Sequence, residues 1–273
     1  MTPSSFPYPV LITGASSGIG LALTRLHLAR GDRVIASSRQ PDSSPLAALA
    51  SRHDKLELVE ADLTTNRGPA ALADETVRRT EHLSRVICCA GVLHDTNRNM
   101  SPEKLLEELL PENLEYSFRL NALAPILLAQ ALLPLLRRQP ATFAAISARV
   151  GSITDNHLGG WYSYRSSKAA LNQLMRTFAL EARRRAPNLT VLALHPGTTD
   201  TPLSAPFQSR VPQEKLFSPD WVAEQLTEQL DKATPEIFIQ AGAFSQYQNA
   251  TKTKALLSSV GPVKIEQINK GDM

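Results

Sequence analysis

Tyr164 and Lys168, four residues apart, are the side chains in this sequence best suited to proton chemistry. On a helix beginning near Tyr162, that spacing puts both on one face. A phenol with its ordinary pKa near 10 is a poor acid–base at neutral pH, and a neighbouring ammonium lowers that pKa by stabilising the phenolate. Such a pair protonates a developing alkoxide as hydride reaches a carbonyl carbon, or takes the alcohol proton in reverse. Tyr162 is six residues from Lys168, on another face, and is rejected. A Tyr–Lys pair alone is common on exposed helices, so its meaning depends on its company.

That company begins with Thr13-Gly14-Ala15-Ser16-Ser17-Gly18-Ile19-Gly20, between a first strand and a first helix. Glycines at Gly14, Gly18 and Gly20 allow a tight turn, close approach of backbone to a pyrophosphate and close helix–strand packing. The helix N-terminus offers free N–H groups and a favourable dipole to phosphates. No Lys-Ser/Thr pair follows the last glycine, which disfavours a nucleoside-triphosphate loop. The second strand ends Ala36-Ser37-Ser38-Arg39, without the acid that NAD binders place there. Arg39 can grip a 2′-phosphate with its planar fork and Ser38 can add a hydroxyl, so NADP is preferred to NAD. Arg39 as a plain surface residue is the bland alternative. Asp62-Leu63, after the third strand, is placed to meet an adenine, or Asp62 caps the next helix.

The elements that must position these residues are read from periodicity. Strands are expected at Val10 to Thr13, Arg33 to Ser37, Leu56 to Val59, Arg85 to Ala90, Phe143 to Ser147 and Thr190 to His195. Helical patterns lie between them, clearest at Gly18 to Ala29, Leu114 to Arg137 and Tyr162 to Arg185. Alternation of this kind predicts an α/β fold: a Rossmann-type, doubly wound parallel sheet with helices on both faces, in a single domain. Residues 1–9 read as an N-terminal tail and 10–242 as the domain, with a last strand near Glu236 to Gln240. Residues 243–273 read as a loosely held or partly disordered tail.

Composition excludes other classes. The 273-residue chain is 42% hydrophobic, enough for a sizeable core, and its net charge is only +3. Arg137-Arg138 and Arg183-Arg184-Arg185 fall where helices should end, where cations complement the dipole, so no nucleic-acid partner is expected. No membrane span is read, no apolar leader and no metal. Adjacent Cys88 and Cys89 on a strand point to opposite faces, which suits buried reduced thiols and a cytoplasmic location.

The Thr13–Gly20 run, Ala90-Gly91, Asn121, Tyr164-Arg165-Ser166-Ser167-Lys168 and Pro196-Gly197 occur in the order of the short-chain dehydrogenase/reductases, which the chain resembles over roughly residues 9–205. The stretch from Gly159 to Asn172 resembles the branch of sniffer-type carbonyl reductases and C-factor-like proteins. The resemblance implies that Tyr164 is the acid–base residue and that Lys168 also binds the nicotinamide ribose. It further implies that Asn121 holds a water in a proton relay through Lys168, and that the Thr199 backbone and Thr201 hydroxyl lie near the nicotinamide carboxamide. A lid is expected from Thr201 to about Ser218, carrying substrate identity. The helices from Leu114 and Tyr162 are the surfaces by which relatives form homodimers or homotetramers.

Three departures stand out. Cys88-Cys89 replaces the usual Asn-Asn before Ala90-Gly91. Ala148 occupies the place of the serine that polarises the carbonyl; Ser152 is the preferred substitute and Ser147 the other candidate. The tail beyond Ala243 lacks the family's glycine-containing end. The leading expectation is carbonyl reduction of a small molecule with NADPH. The alternative is a dinucleotide-binding regulator with little turnover; a nucleotide-sugar epimerase is discounted because such enzymes carry a larger C-terminal substrate region.

Overall fold

A strand such as Val10-Leu11-Ile12-Thr13 has no face to give to water, so the fold must cover it on both sides. The computed structural model, which describes residues 8–43, 45–235 and the backbone of 238–241, does so. Strands β1 (Val10–Thr13), β2 (Val34–Ser38), β3 (Leu56–Glu60), β4 (Arg85–Cys88), β5 (Ala141–Ile146) and β6 (Leu189–His195) are all parallel. A two-residue pair, β7 (Thr198–Thr199) with β8 (Leu216–Phe217), stands apart, and β9 (Phe238–Ala241) adds to β6. The main sheet runs β3-β2-β1-β4-β5-β6-β9. Strand order reverses between β1 and β4, and in such sheets ligands bind beyond the carboxyl ends at that point.

Helices fill both faces. Leu11, Ile35, Val86 and Phe143 pack with α3 (Gly68–Val77), α5 (Ala124–Leu136) and α6 (Tyr162–Arg185). Val10, Ile12, Val34 and Leu192 pack on the other side with α1 (Gly18–Ala29), α2 (Pro45–Ala50) and α7 (Pro219–Lys232). Successive strand residues thus feed opposite cores. The helices α1 and α6 coincide with the sequence reading.

Several expectations change. The helix expected over Leu114 to Arg137 is α4 (Pro111–Phe118), a π turn at Arg119–Leu123, then α5. The whole Pro111–Leu136 stretch is long and apolar enough to cross a bilayer, against the reading that no run is. Half of its most apolar window is buried in this domain, as in a core helix. Tyr8 and Pro9, assigned to the tail, are pinned to the domain: Ser84 Oγ donates to both carbonyls, at 2.9 and 3.1 Å. Glu236, Ile237 and the expected tail 243–273 lie outside the described residues.

Candidate functional site

Beyond the carboxyl ends of β1 and β4 lies a cavity of about 820 Å³. Its floor is the glycine turn. Gly14 has φ +65°, and a Cβ there would lie 2.6 Å from the Ala90 nitrogen, so only glycine lets the turn pass the β4 loop. The helix α1 opens at Gly18, and Ser17 makes no side-chain cap, so the first-turn N–H groups face the cavity without a competing hydroxyl. Ser16, Ser17, Gly18, Ile19 and Gly20 all line it, as do Ala90 and Gly91.

One end is bounded by Ser38 and Arg39 after β2 and by Asp62 and Leu63 after β3. The Ser38 hydroxyl is buried without a hydrogen-bond partner, while Arg39 is exposed at the rim. Asp62 accepts from the Thr64 N–H and hydroxyl at 2.9 and 2.7 Å, a local turn rather than a helix cap. An orphaned hydroxyl beside a guanidinium is a donor set suited to a phosphate. The residues present therefore fit a dinucleotide with a 2′-phosphate.

At the other end stand Tyr164 and Lys168, both on the cavity wall. Lys168 is 4% exposed, and its Nζ donates to Ile146 O at 2.8 Å and lies 5.7 Å from the Tyr164 ring centroid. Burial pushes the Lys168 ammonium down to about 8 and pushes the Tyr164 phenol up. The expected lowering of the phenol by Lys168 is thus reversed: burial alone sets the direction, and the ammonium is turned to a carbonyl. Burial also lifts the Cys88 thiol to about 12, and both cysteines are free.

Asn121 sits in the π turn, 1% exposed, but does not line the cavity. Its Oδ1 accepts from Val92 N–H at 2.8 Å, and its Nδ2 donates to Val92 O at 2.8 Å and to Ser167 Oγ at 3.0 Å. The side chain therefore ties the β4 loop to α6, and the irregular turn supplies the rotation that aims it; π turns often mark functional positions.

The serine expectation is corrected. Ser152 is not on the cavity wall; its Oγ accepts from Asp155 N–H at 3.2 Å and lies 3.4 Å from Thr154 Oγ1. The 3-10 turn Arg149–Gly151 carries the chain away before Ser152 is reached. Ser147 and Ala148 do line the cavity, and the Ser147 hydroxyl donates to Asn172 Oδ1 at 2.6 Å.

The expected lid holds two 3-10 turns, Ala205–Arg210 and Gln213–Lys215, and β8, which pairs with β7 just before the segment. Pro196, Gly197, Thr199 and Thr201 line the cavity, and the buried Thr199 hydroxyl has no partner. Phe207 also lines the cavity, 5.2 Å from the Trp161 ring and 5.8 Å from that of His94.

Sequence reading missed Trp161, His195, Arg149 and Asp155, all on the wall. Arg149 Nε pairs with Asp155 Oδ2 at 2.7 Å, and burial holds the His195 imidazole down at about 4. The Trp161 ring lies 6.3 Å from that of Tyr164, edge to face. Gly159-Gly160 was the available signal: both have positive φ, and so does Trp161 at +54°.

The model of the short chain dehydrogenase family matches residues 9–212. The chain is 36% identical over 199 residues to the short-chain dehydrogenase RED3 of Pyricularia oryzae, covering 69% of this chain and 75% of that one. It is 31% identical over 232 residues to 1-hydroxy-2-glutathionyl-2-methyl-3-butene dehydrogenase of a Rhodococcus species, covering 83% and 92%. An NADPH-bound carbonyl reductase from chicken fatty liver superposes with a TM-score of 0.74 at 25% identity, covering 90% and 97%.

Proposed function

Because this chain belongs to the short-chain dehydrogenase family and is an oxidoreductase of that family, we propose that it reduces a small carbonyl compound with NADPH, Tyr164 giving the proton. The observation that carries this reading is the convergence of Tyr164, Lys168, the glycine turn and Ser38–Arg39 on one cavity. NADPH, when bound, supplies the hydride. Gly14, the Ser16–Gly20 backbone and the α1 N-terminus would hold its pyrophosphate, and Ser38 with Arg39 its 2′-phosphate. Asp62 and Leu63 would flank the adenine, Ala90 and Gly91 the path between, Lys168 the nicotinamide ribose. Pro196, Gly197, Thr199 and Thr201 would border the carboxamide. The NADPH in the chicken carbonyl reductase supports that choice over NAD.

The phenol of Tyr164, raised by burial, keeps its proton at neutral pH, which suits protonation of a carbonyl oxygen and hence the reductive direction. Lys168, lowered to about 8, is still largely protonated at pH 7 and can resupply that proton. Asn121 holds the helix in place; a relay water would be held by its backbone carbonyl, since its side-chain N–H groups are spent on Val92 and Ser167 and its Oδ1 on Val92 N–H. Ala148 brings no hydroxyl and Ser147 spends its own on Asn172, so Tyr164 is the principal donor to the carbonyl.

NADPH consumption with quinones and aromatic aldehydes tests this. Turnover is expected to survive Ser152→Ala and to rise in Ala148→Ser, which restores a hydroxyl on the wall. Tight NADPH binding with no turnover across the panel would overturn the reading in favour of a dinucleotide-binding regulator. The two free thiols support a reducing, cytoplasmic setting. Exposed Leu123 and Leu127 support self-association as a homodimer or homotetramer through the long helices.

A further inference from the structure

Helix α6 begins without a cap of its own. The residue before it is Trp161, whose ring cannot accept a hydrogen bond and whose φ of +54° is uncommon for so bulky a residue. Both needs are met from sixty residues away, by Glu103 in the connection between β4 and α4. The Glu103 carbonyl accepts the Trp161 N–H, and its two carboxylate oxygens accept the Ser163 N–H, at 3.1 Å, and the Ser163 hydroxyl. Glu103 is 3% exposed, and Ser163 is 1% exposed. A buried carboxylate here faces the positive end of the helix dipole, which compensates its loss of hydration. The same carbonyl lies 3.2 Å from where a Gly160 Cβ would sit, so the whole approach to the helix is moulded on this residue.

We propose that Glu103 is a positioning residue for catalysis: it caps α6 and fixes Trp161 and Tyr164 in the cavity wall. The inference rests on the reading of Tyr164 as proton donor. Tyr164 is the next residue after Ser163, in the first turn of the helix, and the Trp161 ring leans edge-on against it. Fraying that turn moves the phenol. Lys168 is one turn deeper, held by Ile146 O, and the glycine turn is on another element, so dinucleotide binding does not depend on Glu103.

The test compares Glu103→Ala, Glu103→Gln and Ser163→Ala with wild type, rates normalised to folded protein. Glu103→Ala is expected to lower kcat about 100-fold, the scale of a 1 Å misplacement, with NADPH Kd within twofold. Glu103→Gln keeps an acceptor for the Ser163 N–H and offers an N–H to its hydroxyl, so it should restore most of kcat; Ser163→Ala should fall between. In a Trp221→Phe background, Trp161 emission should shift red and become more accessible to acrylamide in Glu103→Ala alone. Unchanged kcat in Glu103→Ala, or equal losses in kcat and NADPH affinity, overturns the proposal. If Glu103→Ala does not fold, a Glu103→Gln rate no better than that of Ser163→Ala overturns it. Tyr164→Phe is run alongside: full activity there refutes the proton-donor reading itself, whatever Glu103 does.

Discussion

The two edges of the sheet treat buried charge in opposite ways. At the amino edge, Arg85 opens β4 with its side chain 2% exposed, and the Asp231 carboxylate meets it at 2.5 Å. Arg30 joins the same carboxylate at 2.8 Å. Burial would raise the Asp231 pKa, but hydrogen bonds from Arg85 and Arg30 outweigh it and hold the carboxyl below its ordinary range. At the carboxyl edge, Lys168 is buried against a neutral carbonyl and His195 against the cavity, and burial shifts both. The lesson is a division of labour: charge matched by countercharge holds the fold, and ionisable groups desolvated without it are poised for chemistry.

The sharpest way to break that comparison is Lys168→Met. Removing an ammonium that burial disfavours should leave the thermal midpoint unchanged or higher, while kcat for carbonyl reduction falls about 100-fold or more. In the wild type the same residue sets a pH limit: the rate should decline above about pH 8, as Lys168 loses its proton. A rate that climbs through that range would put the acid elsewhere.

Asp231→Ala should give the converse. It removes the carboxylate that meets the buried Arg85, so denaturant unfolding should show a loss of about 2–3 kcal/mol, discounted because Asp231 is 35% exposed, with kcat per folded molecule within twofold. The sign with pH follows from the depressed carboxyl. Its contribution is fully present above the unfolded carboxyl pKa near 4 and is lost as pH falls through the folded value. Wild type and variant should therefore converge in stability once the pH falls below that folded value.

A smaller effect is expected at Arg39, which lies at the cavity rim. Arg39→Ala should weaken NADPH binding about tenfold, as loss of one charge-assisted contact does, and leave NADH binding within twofold. Equal weakening of both dinucleotides, read by fluorescence titration, would remove the 2′-phosphate from the account.

The parts of this site that were legible in the sequence are those encoded within a single turn or helix. Gly14 to Gly20 could be read because backbone sterics leave few alternatives, and Tyr164 with Lys168 because helical period alone sets their face. The π turn at Asn121 was not legible, since a periodic pattern shows no inserted residue and the cause lies in the Val92 backbone. Ser152 misled for a related reason. Spacing placed it, whereas a 3-10 turn with no periodic signal decided where it points. Glu103 with Ser163 and Arg85 with Asp231 are sixty and 146 residues apart, and no local rule pairs them.

Single-turnover stopped flow with NADPH and a quinone, comparing wild type with Tyr164→Phe, tests the central assignment most directly. The account predicts NADPH affinity within twofold and a hydride-transfer rate lower by about 1,000-fold. A Tyr164→Phe rate equal to wild type would contradict it.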